Sequence, residues 1–508
     1  MLKAAIVFGS NMVLQRQKEI KIWGTGTPGK PVTGRLKGKE TAVSEACTAG
    51  DGNWMLLFAP QEAERGLELT ITDGTDTLTF SNISIGEVWL AGGQSNMSYL
   101  LHFDAEKESA LNEPANPDIR FFDYPEVFYK GQLEEHDYSK VGIWRKCTKE
   151  DLPYYSAAGY YFAKDIQEDL NIPIGIIGCN WGGTKACSWV DSDYLKDNEG
   201  KAWLEWYEEE TKDLDVEAYK TAFRLNPANV HSDPLENPED RGLYPGLTHE
   251  EQMGYLSMLT EEQKKEMFMP QIGPYHEWRP SGLYETMVKK VAPYTLRGVI
   301  WYQGEADVQK PEIYGTVFRK VIECWRDLWK EQLPFLFVQI PPFEQWFMAT
   351  GERYPELRRQ QELVAKTVPD TWMISSSDAG MRWDVHPKHK KPIGKRLALL
   401  ARGRIYGENI LCEPPAFLNA QRVLSGIRIH FKYADGLYLK GDKLNALAIT
   451  DADGNEIIPV EVSVAEDGLL ITGEFPEGVK ISFARTGYYE VNLYNKENNP
   501  AKPFEVIV

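Results

Sequence analysis

The sequence predicts an α/β fold, a parallel sheet with helices on both faces, flanked by N-terminal and C-terminal β-sandwich-like domains. Three observations predict it. Residues 1–82 alternate with period two, as in Glu19-Ile20-Lys21-Ile22-Trp23 and Leu67-Glu68-Leu69-Thr70-Ile71, between Gly, Pro and Asp-Gly turns. From Ile83 apolar runs alternate with helical stretches, the grammar of strand–helix–strand units. After Cys412-Glu413-Pro414-Pro415 the two-residue alternation returns in Gly426-Ile427-Arg428-Ile429-His430-Phe431. A chain of 508 residues exceeds what one hydrophobic core organises. Three domains are therefore expected, at 1–82, 83–412 and 413–508.

Within the central domain the expected strands are 87–91, 119–122, 174–178, 298–302, 335–340 and 372–376. A helix over 156–170 places Ala158, Phe162, Ile166 and Leu170 on one face. A second helix is expected at 391–401. The segment 196–266 is polar, charged and partly helical, with no strand pattern. It reads as an insertion over the sheet, a lid or pocket wall, with a surface excursion or oligomer contact as the plainer alternative.

Composition narrows the function classes. The formal net charge is −19, from 56 basic and 75 acidic residues, so the mean surface field repels nucleic acid and anionic lipid. No run approaches the eighteen or so apolar residues of a membrane span. Cys47, Cys147, Cys179, Cys187, Cys324 and Cys412 form no Cys-x-x-Cys pair, which points to free thiols and no cysteine-built metal site. The apolar run from Ala4 to Phe8 is too short for a signal-peptide core, so a cytoplasmic location is expected; a leader removed earlier would make the protein secreted. Fifteen Trp and twenty-five Tyr suit a sugar-binding surface, although aromatic β cores give similar counts.

Four short segments carry chemistry, three of them directly following expected strands. In Ala91-Gly92-Gly93-Gln94-Ser95-Asn96-Met97 a strand runs through two glycines into a serine at a helix start. Ser95 there suits nucleophilic attack, its own amide serving as an oxyanion donor; an N-capping serine is the plainer alternative. In Asp384-Val385-His386-Pro387 residues two apart face the same way, so Asp384 can orient His386 as a base. In Trp301-Tyr302-Gln303-Gly304-Glu305-Ala306-Asp307 the Gln303 amide is a candidate oxyanion donor. In Asn180-Trp181-Gly182-Gly183-Thr184 the glycines allow a backbone amide to approach the same oxygen.

Together these motifs resemble the sialate O-acetylesterase family of the SGNH (GDSL-like) hydrolases. The resemblance begins at Asn11-Met12-Val13-Leu14-Gln15-Arg16 and continues through Gly86-Glu87-Val88-Trp89, Gly93-Gln94-Ser95-Asn96-Met97, Ile174-Gly175-Ile176-Ile177 and Trp181-Gly182-Gly183-Thr184. It then includes Trp301-Tyr302-Gln303-Gly304-Glu305, Asp384-Val385-His386-Pro387 with Gly394-Lys395-Arg396-Leu397-Ala398, and Pro503-Phe504. It implies an αβα sandwich with Ser95 as nucleophile, His386 as base and Asp384 as its partner. It implies an oxyanion hole of the Ser95 and Gly183 amides with the Gln303 side chain, Gly182 being the alternative amide. Gln94, Asn96 and Glu305 are supporting residues, Glu305 bracing the nucleophile loop. The sequence departs from the pattern at Glu285-Thr286, where Asn-Gly is frequent, and at Cys179-Asn180, where serines are frequent.

The expected activity is hydrolysis of acetyl esters on a mono- or oligosaccharide through an acyl-enzyme, with no metal or organic cofactor. O-acetylated sialic acid and acetylated plant hemicellulose (xylan, xyloglucan or mannan) are the two expected substrates. A sialate enzyme must meet a carboxylate, for which Arg279, Arg382 and Lys388 are the candidates. A non-catalytic glycan-binding protein and a lipase or thioesterase are the competing classes. The intact Ser95, Asp384, His386 and Gln303 argue against the first, and the polar insertion against the second. A homo-oligomer is compatible with the sequence.

Overall fold

The computed structural model describes residues 1–235, 247–268 and 270–508. The chain divides into two compact units. The first comprises Met1–Pro245, Met269–Ala306 and Thr316–Phe335; the second comprises Gly246–Phe268, Asp307–Gly315 and Leu336–Val508.

The first unit is organised by one long strand, Thr77–Gly93. Its first half alternates between exposed and covered positions and pairs antiparallel with Glu64–Thr72. Its second half is buried throughout, as expected of a strand covered on both faces. That half lies parallel to Ile174–Asn180 on one side and to Gly298–Tyr302 on the other. The change of grammar at Ile83 is thus a change of environment along an unbroken strand. Beyond Ile174–Asn180 lies the parallel strand Asn116–Asp123, followed by the antiparallel Trp144–Cys147. Pro31–Lys37 pairs antiparallel with both Thr41–Cys47 and Glu64–Thr72. The sheet is therefore mixed where a parallel one was expected. Its antiparallel members are short or half-exposed strands whose direction the apolar runs do not encode.

Helix Ala157–Leu170 begins where Ser156 accepts a hydrogen bond from the Gly159 amide, and ends at Asn171 in the left-handed conformation. Ala158, Phe162 and Ile166 are buried, with Phe162 edge-on to Trp89 of the long strand at 5.1 Å. Two of the quoted motifs meet beside this strand. Gln15 accepts from the Val88 amide at 2.8 Å, and Arg16 and Arg297 both clamp the buried Glu87 carboxylate at 2.5 Å. Burial raises the Glu87 carboxyl, but the two guanidiniums outweigh it and hold it below the usual range.

The second unit contains strand Thr371–Ile374 and helices Tyr354–Thr367 and Lys391–Arg404. The buried Arg358 donates to the carbonyls of Ile340, Pro341, Thr486 and Gly487, so one side chain ties a loop of this region to the loop that follows strand Lys480–Phe483. Those strands form a four-stranded sheet in the order Ala416–Val423, Gly426–Lys432, Gly468–Thr472, Glu461–Ala465, and a three-stranded one of Leu447–Thr450, Lys480–Phe483, Phe504–Ile507. Ile429, Leu469, Ile471, Ile481 and Phe483 are core residues there. The segment 196–266 supplies the helices Lys201–Thr211, Val216–Leu225, His249–Met258 and Glu261–Phe268 among the described residues; 236–246 of it lie outside them.

Candidate active site

The expected site residues divide between the units. Ser95, Gln94, Asn96, Gly182, Gly183, Gln303 and Glu305 lie in the first, Asp384 and His386 in the second.

In the first unit the long strand continues through Gly93 and breaks at Gln94, whose extended backbone opens the short helix Ser95–Ser98. Both glycines are required by packing. A Cβ at Gly92 would lie 2.8 Å from the Trp301 ring. Gly93 has φ +133°, and a Cβ there would lie 2.2 Å from the Tyr302 carbonyl oxygen. Ser95 is 7% exposed. Its turn is held from three sides. The Gln94 amide donates to the Tyr302 carbonyl at 3.1 Å, while its side-chain oxygen accepts from the Gly304 and Ala306 amides at 3.3 Å. Asn96 Nδ2 donates to Glu305 Oε1 at 2.6 Å. Ser156 Oγ donates to the Met97 carbonyl at 2.6 Å.

The glycine-rich loop stands against this turn. The Trp181 amide donates to the Gly93 carbonyl at 3.1 Å, and a Cβ at Gly182 would lie 3.5 Å from that of Ser95. Gly183 has φ +69°, which a side chain would strain. The loop's carbonyls are occupied from behind: Trp278 Nε1 donates to Gly183 at 2.8 Å and Gln303 Nε2 to Thr184 at 3.0 Å. Gln303 is fully buried and commits an amide hydrogen to this bond. Lys185, also buried, donates to the Ala306 carbonyl at 2.9 Å and lies over the Trp278 and Trp203 rings at 4.3 and 4.7 Å.

In the second unit Asp384 and His386 are 3% and 5% exposed. Asp384 Oδ1 accepts from the His386 backbone amide at 2.8 Å and lies 3.6 Å from its Nδ1. Lys388 Nζ lies 2.8 Å from the other carboxylate oxygen. The Trp346 ring stands edge-on to the imidazole at 5.2 Å. Burial tends to raise the Asp384 carboxyl, but the hydrogen bond to His386 and the Lys388 charge hold it below the usual range. Burial also pushes His386 below its ordinary value, partly opposed by Asp384. The pair is thus an ionised carboxylate beside a neutral imidazole.

Lys388 is therefore a carboxylate partner inside the chain. The other two residues considered for an anionic substrate are likewise engaged, Arg279 with Glu285 at 2.8 Å and Arg382 with Glu344 at 3.3 Å. Sequence reading did not single out Ser156, Trp278, Lys185 or Trp346. The Ser156 N-cap signal was available; the other three act through tertiary neighbours that no local pattern marks.

The fold is one that a carbohydrate esterase uses. A solved carbohydrate acetylesterase from Xanthomonas citri superposes with a TM-score of 0.75 over 99% of each chain at 22% identity. Residues 271–401, which include Gln303, Glu305, Asp384 and His386, match the family described as carbohydrate esterase, sialic acid-specific acetylesterase. The sialate O-acetylesterase of Mus musculus is 26% identical over 434 residues, 79% of this chain and 73% of its own. That of Homo sapiens is 26% identical over 447 residues, 81% and 72% respectively. The chain is thus similar to the sialate O-acetylesterases over about four fifths of its length, and its residues 271–401 match the acetylesterase family.

Proposed function

We propose that the protein is a carbohydrate O-acetylesterase of the SGNH type, using Ser95 as nucleophile, His386 as general base and Asp384 as the partner of that base. The observation that carries this reading is the setting of Ser95. A buried serine sits on a tight strand-to-helix turn braced by Gln94 and Asn96, with the Gly182-Gly183 loop beside it. Kinship with the sialate O-acetylesterases supplies the ester and the sugar.

In this mechanism Ser95 Oγ attacks the acetyl carbonyl as His386 accepts its proton. The tetrahedral oxyanion is met by the amides of Ser95 and Gly183 and by the Gln303 side chain. The imidazolium of His386 then protonates the departing sugar oxygen, freeing the sugar hydroxyl, and water, activated in the same way, releases acetate. Asp384 holds the imidazole tautomer and stabilises the imidazolium. Lys388 in turn keeps Asp384 ionised. The glycine loop is oriented by bonds on its carbonyl side, so the donors stand preorganised before substrate arrives.

The test is acetate release from a panel of O-acetyl sialic acid, acetyl-xylo- and acetyl-manno-oligosaccharides and a long-chain ester. Release from a sugar ester, abolished by Ser95→Ala, is expected. Preference for the long-chain ester would refute the carbohydrate assignment, and turnover retained by Ser95→Ala would refute the nucleophile.

A further inference from the structure

The strands of the first unit run Asn116–Asp123, Ile174–Asn180, Thr77–Gly93 in adjacent order and parallel, so their C-terminal ends share one edge. Ser95 follows the third. A cleft opens over the ends of the first two, lined by Ser98, Asp123, Glu126, Asn180, His231 and Asp233 among others. Strands lie about 4.8 Å apart, so the cleft is centred on the order of 10 Å or less from the nucleophile's strand. Ser98 belongs to the nucleophile's own helix, and the oxyanion loop reaches the cleft through Trp181, whose ring packs against His231 at 5.6 Å.

The cleft carries groups that seek a ligand. Asn180 is 4% exposed; its Nδ2 is anchored on the Ala91 carbonyl at 3.0 Å, and its Oδ1 accepts no hydrogen bond among the described residues. The Asp123 carboxylate likewise accepts none among them, although it stands against Gly178 with room for no Cβ there. Burial, with Glu126 close by, pushes the Asp123 carboxyl up to about 7, so near neutrality it can both donate to and accept from a hydroxyl. Phe103 and Tyr124 add apolar wall of the kind that covers the face of a sugar ring.

The charge pattern is one-sided. Among the described lining residues there is no lysine or arginine, against three carboxylates. The one basic group, His231, is already joined to Glu126 through Nδ1. An incoming carboxylate would find no lysine or arginine in the lining and would meet the charge of Asp233, with Glu126 joined to His231 and Asp123 partly ionised near neutrality, whereas hydroxyls would find acceptors at Asn180, Asp123 and Asp233.

We propose that this cleft is the subsite for the sugar bearing the acetyl ester, and that it selects uncharged sugars over anionic ones. The proposal rests on the esterase reading above and narrows its substrate class. Mono-acetylated methyl glucoside and mono-acetylated methyl glucuronoside differ only in a hydroxymethyl against a carboxylate, and they test it with the full chain at low salt. The expected result is kcat/KM at least tenfold higher for the glucoside. Asp233→Asn and Asp123→Asn should each narrow that preference at least threefold, chiefly through KM for the glucuronoside. Equal or better turnover of the glucuronoside overturns the proposal. So does an unchanged preference in both variants, provided their thermal unfolding matches the parent. Absence of Ser95-dependent turnover of p-nitrophenyl acetate, an ester with no sugar, would instead overturn the esterase reading itself.

Discussion

Asn96 Nδ2 donates a 2.6 Å hydrogen bond to Glu305 Oε1, joining the residue after Ser95 to the loop that carries Gln303. Both side chains are buried, Asn96 completely. Breaking a hydrogen bond to a buried carboxylate costs about 1.5–3 kcal/mol. Asn96→Ala should lower stability by that amount in denaturant unfolding and reduce acetate release by at least tenfold. Asn96→Asp, which sets two carboxylates face to face, should do worse on both counts.

Gly93 offers a sharper stability test. An added Cβ would meet the Tyr302 carbonyl at 2.2 Å, in a backbone conformation that side chains avoid. Gly93→Ala should therefore cost on the order of 3 kcal/mol or more. Gly29 also has positive φ, +78°, but open space around it. Gly29→Ala should cost only about 1 kcal/mol, and equal effects in thermal unfolding would contradict the packing argument.

The Glu87 clamp makes a third prediction. Glu87→Ala leaves Arg16 and Arg297 facing each other without their carboxylate. A loss of about 3–5 kcal/mol is expected, read as a lowered denaturation midpoint. Breaking an exterior ion pair such as Lys201 with Glu205 should leave the midpoint almost unmoved by comparison.

The pH profile follows from His386. Burial holds its pKa below the ordinary value of about 6.5, and the proposed mechanism requires the neutral ring. The acid limb of kcat/KM should thus fall below pH 6.5, lower than an unperturbed histidine would place it. Because the folded ring binds fewer protons than the unfolded one in this window, its contribution to stability is full above about pH 6.5 and is lost as pH falls towards the folded pKa. Lys388→Met removes a charge that disfavours the imidazolium, so the acid limb should move upward. A limb unmoved by that change would detach Lys388 from the pair.

Much of this architecture was legible because local signals and burial agree. Gly298–Tyr302 falls where its five-residue apolar run predicts, since it is buried on both faces and bounded by Arg297 and Gln303. Ser156 caps its helix as its residue type suggests. Trp144–Cys147 was not legible: with Arg145 and Lys146 at its centre it lacks an apolar run, and its direction is set by pairing with Asn116–Asp123. The unbroken passage of Thr77–Gly93 from a half-exposed to a buried setting was also hidden, because a change of pattern looks the same as a break. Ser95, Gln303, Asp384 and His386 were named from motif and spacing. The cleft at Asp123, Asn180 and His231 was not, because its members are separated by 108 residues of sequence and meet only at the sheet edge.

The central claim is that Ser95 is the nucleophile, and covalent trapping tests it most directly. Reaction with a fluorophosphonate, followed by intact-mass and peptide mapping, should give one adduct per chain on the peptide containing Ser95, with acetate release lost in proportion. Ser95→Ala should remain unlabelled. An active enzyme that takes no label, or one labelled and inactivated at a different residue, would contradict the account.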